Sequence, residues 1–182
     1  MIEMVTKTKM SKEIDSAEID VTDVTTPCYI LDEASFERNL EILDAVQERT
    51  CCKVLLALKG FAAFSLFPMI RRHLSGVAAS SIAEARLAFE EFGGEVHISS
   101  PAYREEEFDE LLSYAGHVVF NSFSQWDRFR PKVEASEKTV RCGIRVNPAH
   151  RAVKVTIYDP CGPYSRLGTT LKNFRYEGGD CD

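Results

Sequence analysis

The sequence predicts an α/β fold with a parallel sheet. From residue 50 onward, short apolar runs alternate with amphipathic helical segments. This alternation gives about five strands and four helices, at roughly 20–25 residues per unit. The run Val54–Leu58 is apolar throughout, which is typical of a parallel strand covered by helices on its face. Regular β-α alternation favours a parallel sheet, either open or closed into a barrel.

The same patterns predict the individual elements. We expect strands where apolar residues cluster between turn residues, at 27–32, 54–58, 76–79, 95–99, 117–121 and 140–146. We expect helices where apolar residues recur every three or four positions, at 34–48, 63–74, from 81, at 104–114 and at 124–133. Ser81 and Ser124 are the expected N-caps, since Glu84 and Asp127 follow each by three residues.

Length leaves two architectures open. A closed (β/α)₈ barrel needs eight units and typically about 250 residues, whereas this chain has 182. Residues 1–24 are polar with no sustained period, so we expect a flexible leader followed by one domain over 25–182. The pattern therefore predicts either a smaller open sheet or part of a barrel.

Composition excludes several classes of protein. The 22 basic and 28 acidic residues give a net charge of -6, and the basic residues are scattered, which argues against binding nucleic acid. No apolar run approaches a membrane span or a signal-peptide core, so we expect a cytoplasmic protein. None of the six cysteines forms a C-x-x-C pair and the four histidines lack ligand spacing. We therefore predict free thiols, several of them buried, and no metal site.

Polar residues follow each apolar run, as they would at the edge of a parallel sheet that carries an active site. The residues concerned are Lys59, Ser80, Tyr103, Asn121 and Arg145. Lys59 is the sharpest candidate, because a lysine whose stem lies in the core and whose amine is desolvated is a good Schiff-base nucleophile. The structural alternative is a lysine that simply reaches into solvent at a strand end.

Six collinear segments between residues 26 and 168 resemble one family. They resemble the type III pyridoxal-phosphate decarboxylases of the alanine-racemase-like fold, and among these the carboxynorspermidine (carboxyspermidine) decarboxylases. The segments are TPCYILDEASFERNLEIL (26–43), LLALKGFAAFSLFPMIRRHLSGVAASSIAEARLAFEEFG (55–93), EVHISSPAYREEEFDELL (95–112), HVVFNSFSQWDRFR (117–130), CGIRVNP (142–148) and YDPCGPYSRLG (158–168).

The resemblance implies a partial (β/α)₈ barrel that corresponds to the N-terminal half of the family, without its C-terminal half and β-domain. It implies that Lys59 carries pyridoxal 5'-phosphate and that Arg145 reaches the cofactor side. The implied reaction converts carboxynorspermidine or carboxyspermidine to norspermidine or spermidine in polyamine synthesis, in a homodimer. Ala78 stands where distant relatives often have an aspartate, and Gly60 where close ones are expected to have alanine.

The family's ring-stacking histidine, phosphate loop and pyridine-binding acid would follow residue 168, so we expect impaired activity. Two alternatives remain at this stage. One is another type III pyridoxal-phosphate enzyme, such as an amino-acid decarboxylase or a racemase. The other is a non-catalytic or regulatory half-barrel.

Overall fold

A computed structural model describes residue 22 and residues 24–151, 153–155 and 158–174. The expected flexible leader, residues 1–24, lies almost wholly outside these described residues. The chain divides into two compact units. The first comprises residues up to 54 together with 65–75, and the second comprises 55–64 together with the residues from 76 onward.

The first unit is built on helix α1, Glu33–Thr50, close to its predicted extent. Asp32 caps its first turn, because the carboxylate accepts a hydrogen bond from the backbone N–H of Ala34 at 3.1 Å. The helix ends at Cys51, whose φ of 55° is the left-handed conformation that commonly stops a helix.

Helix α2 of the first unit is shorter than predicted. A 3₁₀ turn over Phe64–Leu66 leads into α2, Phe67–Ile70, in place of a helix over 63–74. The Gln47 side chain holds the segment after the helix, since its Nε2 donates to the carbonyl oxygen of His73 at 2.6 Å. Its Oε1 accepts from the backbone N–H of Val54 at 2.7 Å, so one amide ties two connecting segments to α1.

The predicted strand at 27–32 is wrong. These residues are extended or bent and pair with no described strand. An apolar, β-branched run becomes a strand only where a neighbouring strand takes up its backbone groups.

The second unit contains a five-stranded parallel sheet. Its strands lie close to the predicted ranges: β1 Leu55–Ala57, β2 Gly76–Ala79, β3 Glu95–Ser99, β4 His117–Phe120 and β5 Arg141–Ile144. After Arg145 the chain resumes as β6, Val146–Asn147, which pairs in parallel with β7, Thr169–Thr170.

Strand order decides between the two predicted architectures. The order is β1-β2-β3-β4-β5, so every crossover steps in the same direction. Because such crossovers are right-handed, a one-directional order puts the helices that connect β2 to β5 on one face of the sheet, as in a barrel. A doubly wound sheet reverses direction and carries helices on both faces. The partial (β/α)₈ barrel prediction is therefore confirmed.

Helices of the second unit cover one face of this sheet. Along β2, β3 and β4, alternate residues are at most 2% exposed: Val77, Ala79, Val96, Ile98, Val118 and Phe120. Phe120 contacts Trp126 and Phe108 of the following and preceding helices. Phe108 in turn stacks on Phe129 with ring centroids 4.1 Å apart. The residues between them in sequence face the other side of the sheet.

Of the helices in this layer, the first begins where predicted, whereas the second begins later and the third one residue earlier. They are α3 Ile82–Leu87, continued by a π turn over Ala88–Phe92, then α4 Phe108–Tyr114 and α5 Phe123–Glu134. Ser81 caps α3 as predicted. Ser124 was the wrong cap for α5, because Ser122 accepts the hydrogen bond from the backbone N–H of Gln125.

Two further predictions concern the cysteines and membrane-spanning helices. The five described cysteines are free thiols, as predicted, but none is buried. None of the described helices is both long and apolar enough to cross a membrane.

Candidate functional site

The carboxyl ends of the parallel strands form one edge of the sheet. Lys59 follows β1, Ser80 follows β2, Asn121 follows β4 and Arg145 follows β5. Since all five strands run in the same direction, these four residues belong to the same edge. We call this set of loops the strand-end rim. The catalytic and cofactor roles of Lys59 and Arg145 are not tested by this placement and stay predictions.

Lys59 lies in a turn and is exposed. Strand β1 ends at Ala57, and the next residue, Leu58, is the one that enters the core, at 3% exposure. The backbone N–H of Leu58 donates to Ala78 of β2, and that of Gly60 donates back to Ala57 at 3.0 Å. The expectation that the Lys59 stem lies in the core is therefore wrong, because the turn starts one residue earlier and presents Lys59 to solvent.

The backbone groups at the rim are held by side chains from the helices that follow. The N–H of Ser80 donates to Oε2 of Glu84 at 2.6 Å. The N–H of Asn121 donates to Oε1 of Gln125, also at 2.6 Å. Both donors lie just past a strand end and so lack a ladder partner. Side chains from the first turns of α3 and α5 thus fix the loops after β2 and β4.

Tyr103 holds the rim after β3 but does not line it. Its hydroxyl donates to the carbonyl oxygen of Val119 at 2.8 Å and accepts from the backbone N–H of Ser100 at 3.2 Å. The residue is only 9% exposed, so Tyr103 supports the predicted edge from within the core and offers little surface to a ligand. Burial raises the pKa of the Tyr103 hydroxyl to about 12, since the phenolate would lose its hydration.

Two asparagines hold the segment Arg166–Gly168 against the strand ends. Asn121 Nδ2 donates to the carbonyl oxygen of Arg166 at 2.8 Å, and Asn121 Oδ1 accepts from the N–H of Gly168 at 2.7 Å. Asn147, which is 5% exposed, donates through Nδ2 to the carbonyl oxygen of Leu167 at 3.2 Å. Asn121 therefore acts as an anchor for a distant loop, a role that the strand pattern did not reveal.

Arg145 lies at the break between β5 and β6, directly beside this segment. Its backbone N–H donates to Phe120, and its carbonyl accepts from the N–H of Thr169, both at 2.8 Å. Gly168 has a φ of +79°, and a side chain there would come within 3.2 Å of Cγ of Arg145. Glycine at this position lets the chain pass the half-buried Arg145 stem.

One cluster of metal-ligating side chains was not predicted from the sequence. Glu95, His97 and His117 bring three metal-ligating atoms within 4.8 Å of one another. His97 and His117 come from two strands, so no linear spacing marks them. The sequence offered one signal. Glu95 and His97 lie two residues apart in one predicted strand, and His117 begins the next predicted strand.

A one-directional parallel sheet with a polar rim at its carboxyl edge defines the class: this chain is part of a (β/α)₈-barrel protein. No protein-family profile matched the chain. Curated relatives nevertheless show which proteins the chain is similar to. The chain is 42% identical over 148 residues to a carboxyaminopropylagmatine decarboxylase of Synechocystis. It is 39% identical to carboxynorspermidine/carboxyspermidine decarboxylases of Herminiimonas arsenicoxydans, over 145 residues, and of Campylobacter jejuni, over 151.

These matches cover 80% to 83% of this chain and 38% or 39% of each relative. A crystal structure of the Campylobacter jejuni carboxynorspermidine decarboxylase, complexed with norspermidine, superposes with a TM-score of 0.74 at 37% identity. The superposition covers 86% of this chain and 38% of the Campylobacter jejuni chain. The chain is therefore a homologue of the carboxynorspermidine/carboxyspermidine decarboxylases, as predicted, and spans about two fifths of their length.

Proposed function

We propose that this chain contributes the lysine-bearing section of a pyridoxal-phosphate-dependent carboxy-lyase of polyamine synthesis. The observation that carries the proposal is the exposed Lys59 in the turn directly after β1, on the strand-end rim of a chain homologous to these decarboxylases. The proposed substrate is carboxynorspermidine or carboxyspermidine. A homodimer, which the resemblance implied, and a cytoplasmic location, which the composition predicted, belong to the same proposal.

The residues present fit such a cofactor in their chemistry. An accessible lysine amine can hold an aldehyde covalently, and Lys59 is exposed where the sites of parallel barrels lie. Arg145 adds a cationic side chain to the same edge, and its backbone is held by hydrogen bonds to Phe120 and Thr169. When bound, pyridoxal phosphate supplies the electron sink for a decarboxylation. In this proposal Lys59 holds the cofactor covalently, and the Arg145 side chain reaches the cofactor and orients it.

Covalent trapping tests the role of Lys59. The chain is incubated with pyridoxal phosphate, the visible absorbance band is recorded, and borohydride then fixes the adduct for peptide mapping. We expect modification at Lys59 in preference to the other lysines, and loss of the band in Lys59→Ala.

Lys138→Ala is the matched control. Lys138 is also exposed, but it precedes β5 and so belongs to the opposite edge of the sheet. Its removal should leave the band unchanged. Equal labelling of both lysines would contradict the proposal. The alternatives are separated by product: a racemase would invert an amino acid without releasing CO₂, and a regulatory half-barrel would do neither.

A further inference from the structure

The inner face of the sheet, opposite the helix layer, carries a cluster of three side chains that the proposed reaction does not use. Glu95 and His97 are two residues apart on β3 and therefore project from the same face. His117 begins β4 and is the register partner of His97. Each of the three offers one ligand atom, and these atoms lie within 4.8 Å of one another.

The cluster is already compact. The rings of His97 and His117 stack with centroids 3.8 Å apart and planes 20° from parallel. Oε2 of Glu95 lies 3.0 Å from Nε2 of His97. In a tetrahedral zinc site with bonds near 2.1 Å, the donor atoms are about 3.4 Å apart. Side-chain rotations alone could bring the three donors to that spacing, since the strands that carry them are already paired.

The cluster also lies apart from the strand-end rim. Pairing aligns Ala78, His97, His117 and Arg141 in one row across β2 to β5. His97 is two residues before the end of β3, or about 7 Å along the strand from the rim. The side chains of His97 and Glu95 are 27% and 34% exposed, so an ion from solvent can reach them.

One neighbouring charge opposes a cation here. Nη1 of Arg141 lies 3.5 Å from Nε2 of His117. A guanidinium at this distance repels a metal ion and competes for the same imidazole nitrogen. Arg141 is exposed at the edge of β5, so its side chain can move away when an ion binds.

We propose that Glu95, His97 and His117 form a binding site for a divalent transition-metal ion of the zinc class, with coordination positions left open to solvent. Two imidazoles and one carboxylate are a donor set found in catalytic zinc sites and in non-haem iron(II) sites. The proposal does not rest on the decarboxylase assignment, because it involves neither Lys59 nor a cofactor.

The test is titration of the whole chain with Zn²⁺ against a chromophoric chelator, together with the visible spectrum of the Co²⁺ form. We expect one site per chain, and a loss of affinity of at least tenfold in Glu95→Gln, His97→Gln and His117→Gln. His150→Gln is the matched control, since His150 is exposed in a loop outside the cluster, and it should bind as the wild type does.

Arg141→Gln gives a readout that misfolding cannot imitate. Removing the guanidinium beside His117 should tighten Zn²⁺ binding several-fold. Unchanged binding in the His97 and His117 variants would overturn the proposal. Thiolate-to-cobalt charge-transfer bands would do so too, because they would assign the ion to the exposed cysteines. A wild-type chain that takes up no Zn²⁺ would show that the cluster is only an ion-paired network.

Discussion

Single side chains hold the strand ends in place, and Tyr103 does so for two strands at once. Its hydroxyl links the loop after β3, through the N–H of Ser100, to the carbonyl oxygen of Val119 on β4. Tyr103→Phe should cost about 1–3 kcal/mol of unfolding free energy, because it leaves buried backbone groups without their partner. Urea unfolding measures this. Tyr164→Phe is the control and should be neutral, since Tyr164 is 100% exposed.

The raised pKa of Tyr103 also predicts how the stability of the protein changes at alkaline pH. The folded pKa of Tyr103 is about 12, whereas an unfolded tyrosine titrates near pH 10. Below pH 10 both states are neutral and the stabilisation is complete. As pH rises from 10 towards 12, the unfolded state loses its proton first, so stability falls. This fall should be shallower in Tyr103→Phe than in the wild type, and parallel curves would contradict the assignment.

The positions of some functional candidates in the fold could be predicted from the sequence, and those of others could not. Lys59 and Arg145 follow apolar runs, and the chain direction alone puts both on one edge of a parallel sheet. Glu95, His97 and His117 become neighbours only through the register of β3 on β4, which hydrophobic pattern does not specify. The same limit applies to Asn121, whose partners Arg166 and Gly168 are 45 and 47 residues away.

Among the elements, the central strands were the most predictable. The bounds of β2 and β3 match the prediction because β2 is apolar throughout and β3 alternates apolar with polar residues, and both patterns are typical of strands. Helix starts were less predictable. Ser122 and Ser124 both precede a polar residue by three positions, and only the position of β4 decides that Ser122 caps α5. Similarly, α4 starts at Phe108, past the predicted residue 104, after Tyr103 has been drawn into the core.

The pairing of β2 with β3 depends on a glycine. A Cβ at Gly76 would lie 2.2 Å from the carbonyl oxygen of Glu95, which is backbone and cannot turn away. Gly76→Ala should therefore push the two strands apart and cost about 1–3 kcal/mol or more. Thermal and urea unfolding measure the loss.

Gly143→Ala is the matched control for this prediction. Gly143 also lies in a strand, β5, but a Cβ there would meet nothing within 4 Å. The substitution should be neutral, or slightly stabilising because alanine restricts the unfolded chain. Equal destabilisation by the two variants would show that strand propensity, and not the close approach to Glu95, sets the cost.

For the whole molecule, the order of the strands carries more information than any single motif. The hydrophobic pattern alone left an open sheet and part of a barrel as alternatives, because both give the same βα alternation, and only the family resemblance predicted the barrel. The order β1-β2-β3-β4-β5 separates them. Hydrophobic pattern fixes which residues face a helix layer, but it does not state in which direction each strand adds to the sheet.

The extent of the match leads to the last prediction, which concerns activity and rests on the proposed function. The 151 residues of this chain that align with the Campylobacter jejuni relative cover 38% of it. The resemblance assigns the phosphate loop and the pyridine-binding acid to the family's later residues. A polypeptide of the 182 residues of this chain should therefore react with pyridoxal phosphate at Lys59 yet release little CO₂ from carboxynorspermidine.

The assay compares this polypeptide with a fusion that adds the relative's remaining residues. We expect turnover only in the fusion, and its loss on Lys59→Ala while Lys138→Ala stays active. Carboxyspermidine and carboxyaminopropylagmatine are tested in parallel, since the relatives are named for different substrates of this kind. Rapid turnover by the 182 residues alone would contradict the prediction, because it would mean that Lys59, Arg145 and the rim suffice for the reaction. An inactive fusion that still takes up the cofactor at Lys59 would point to the racemase or regulatory alternatives.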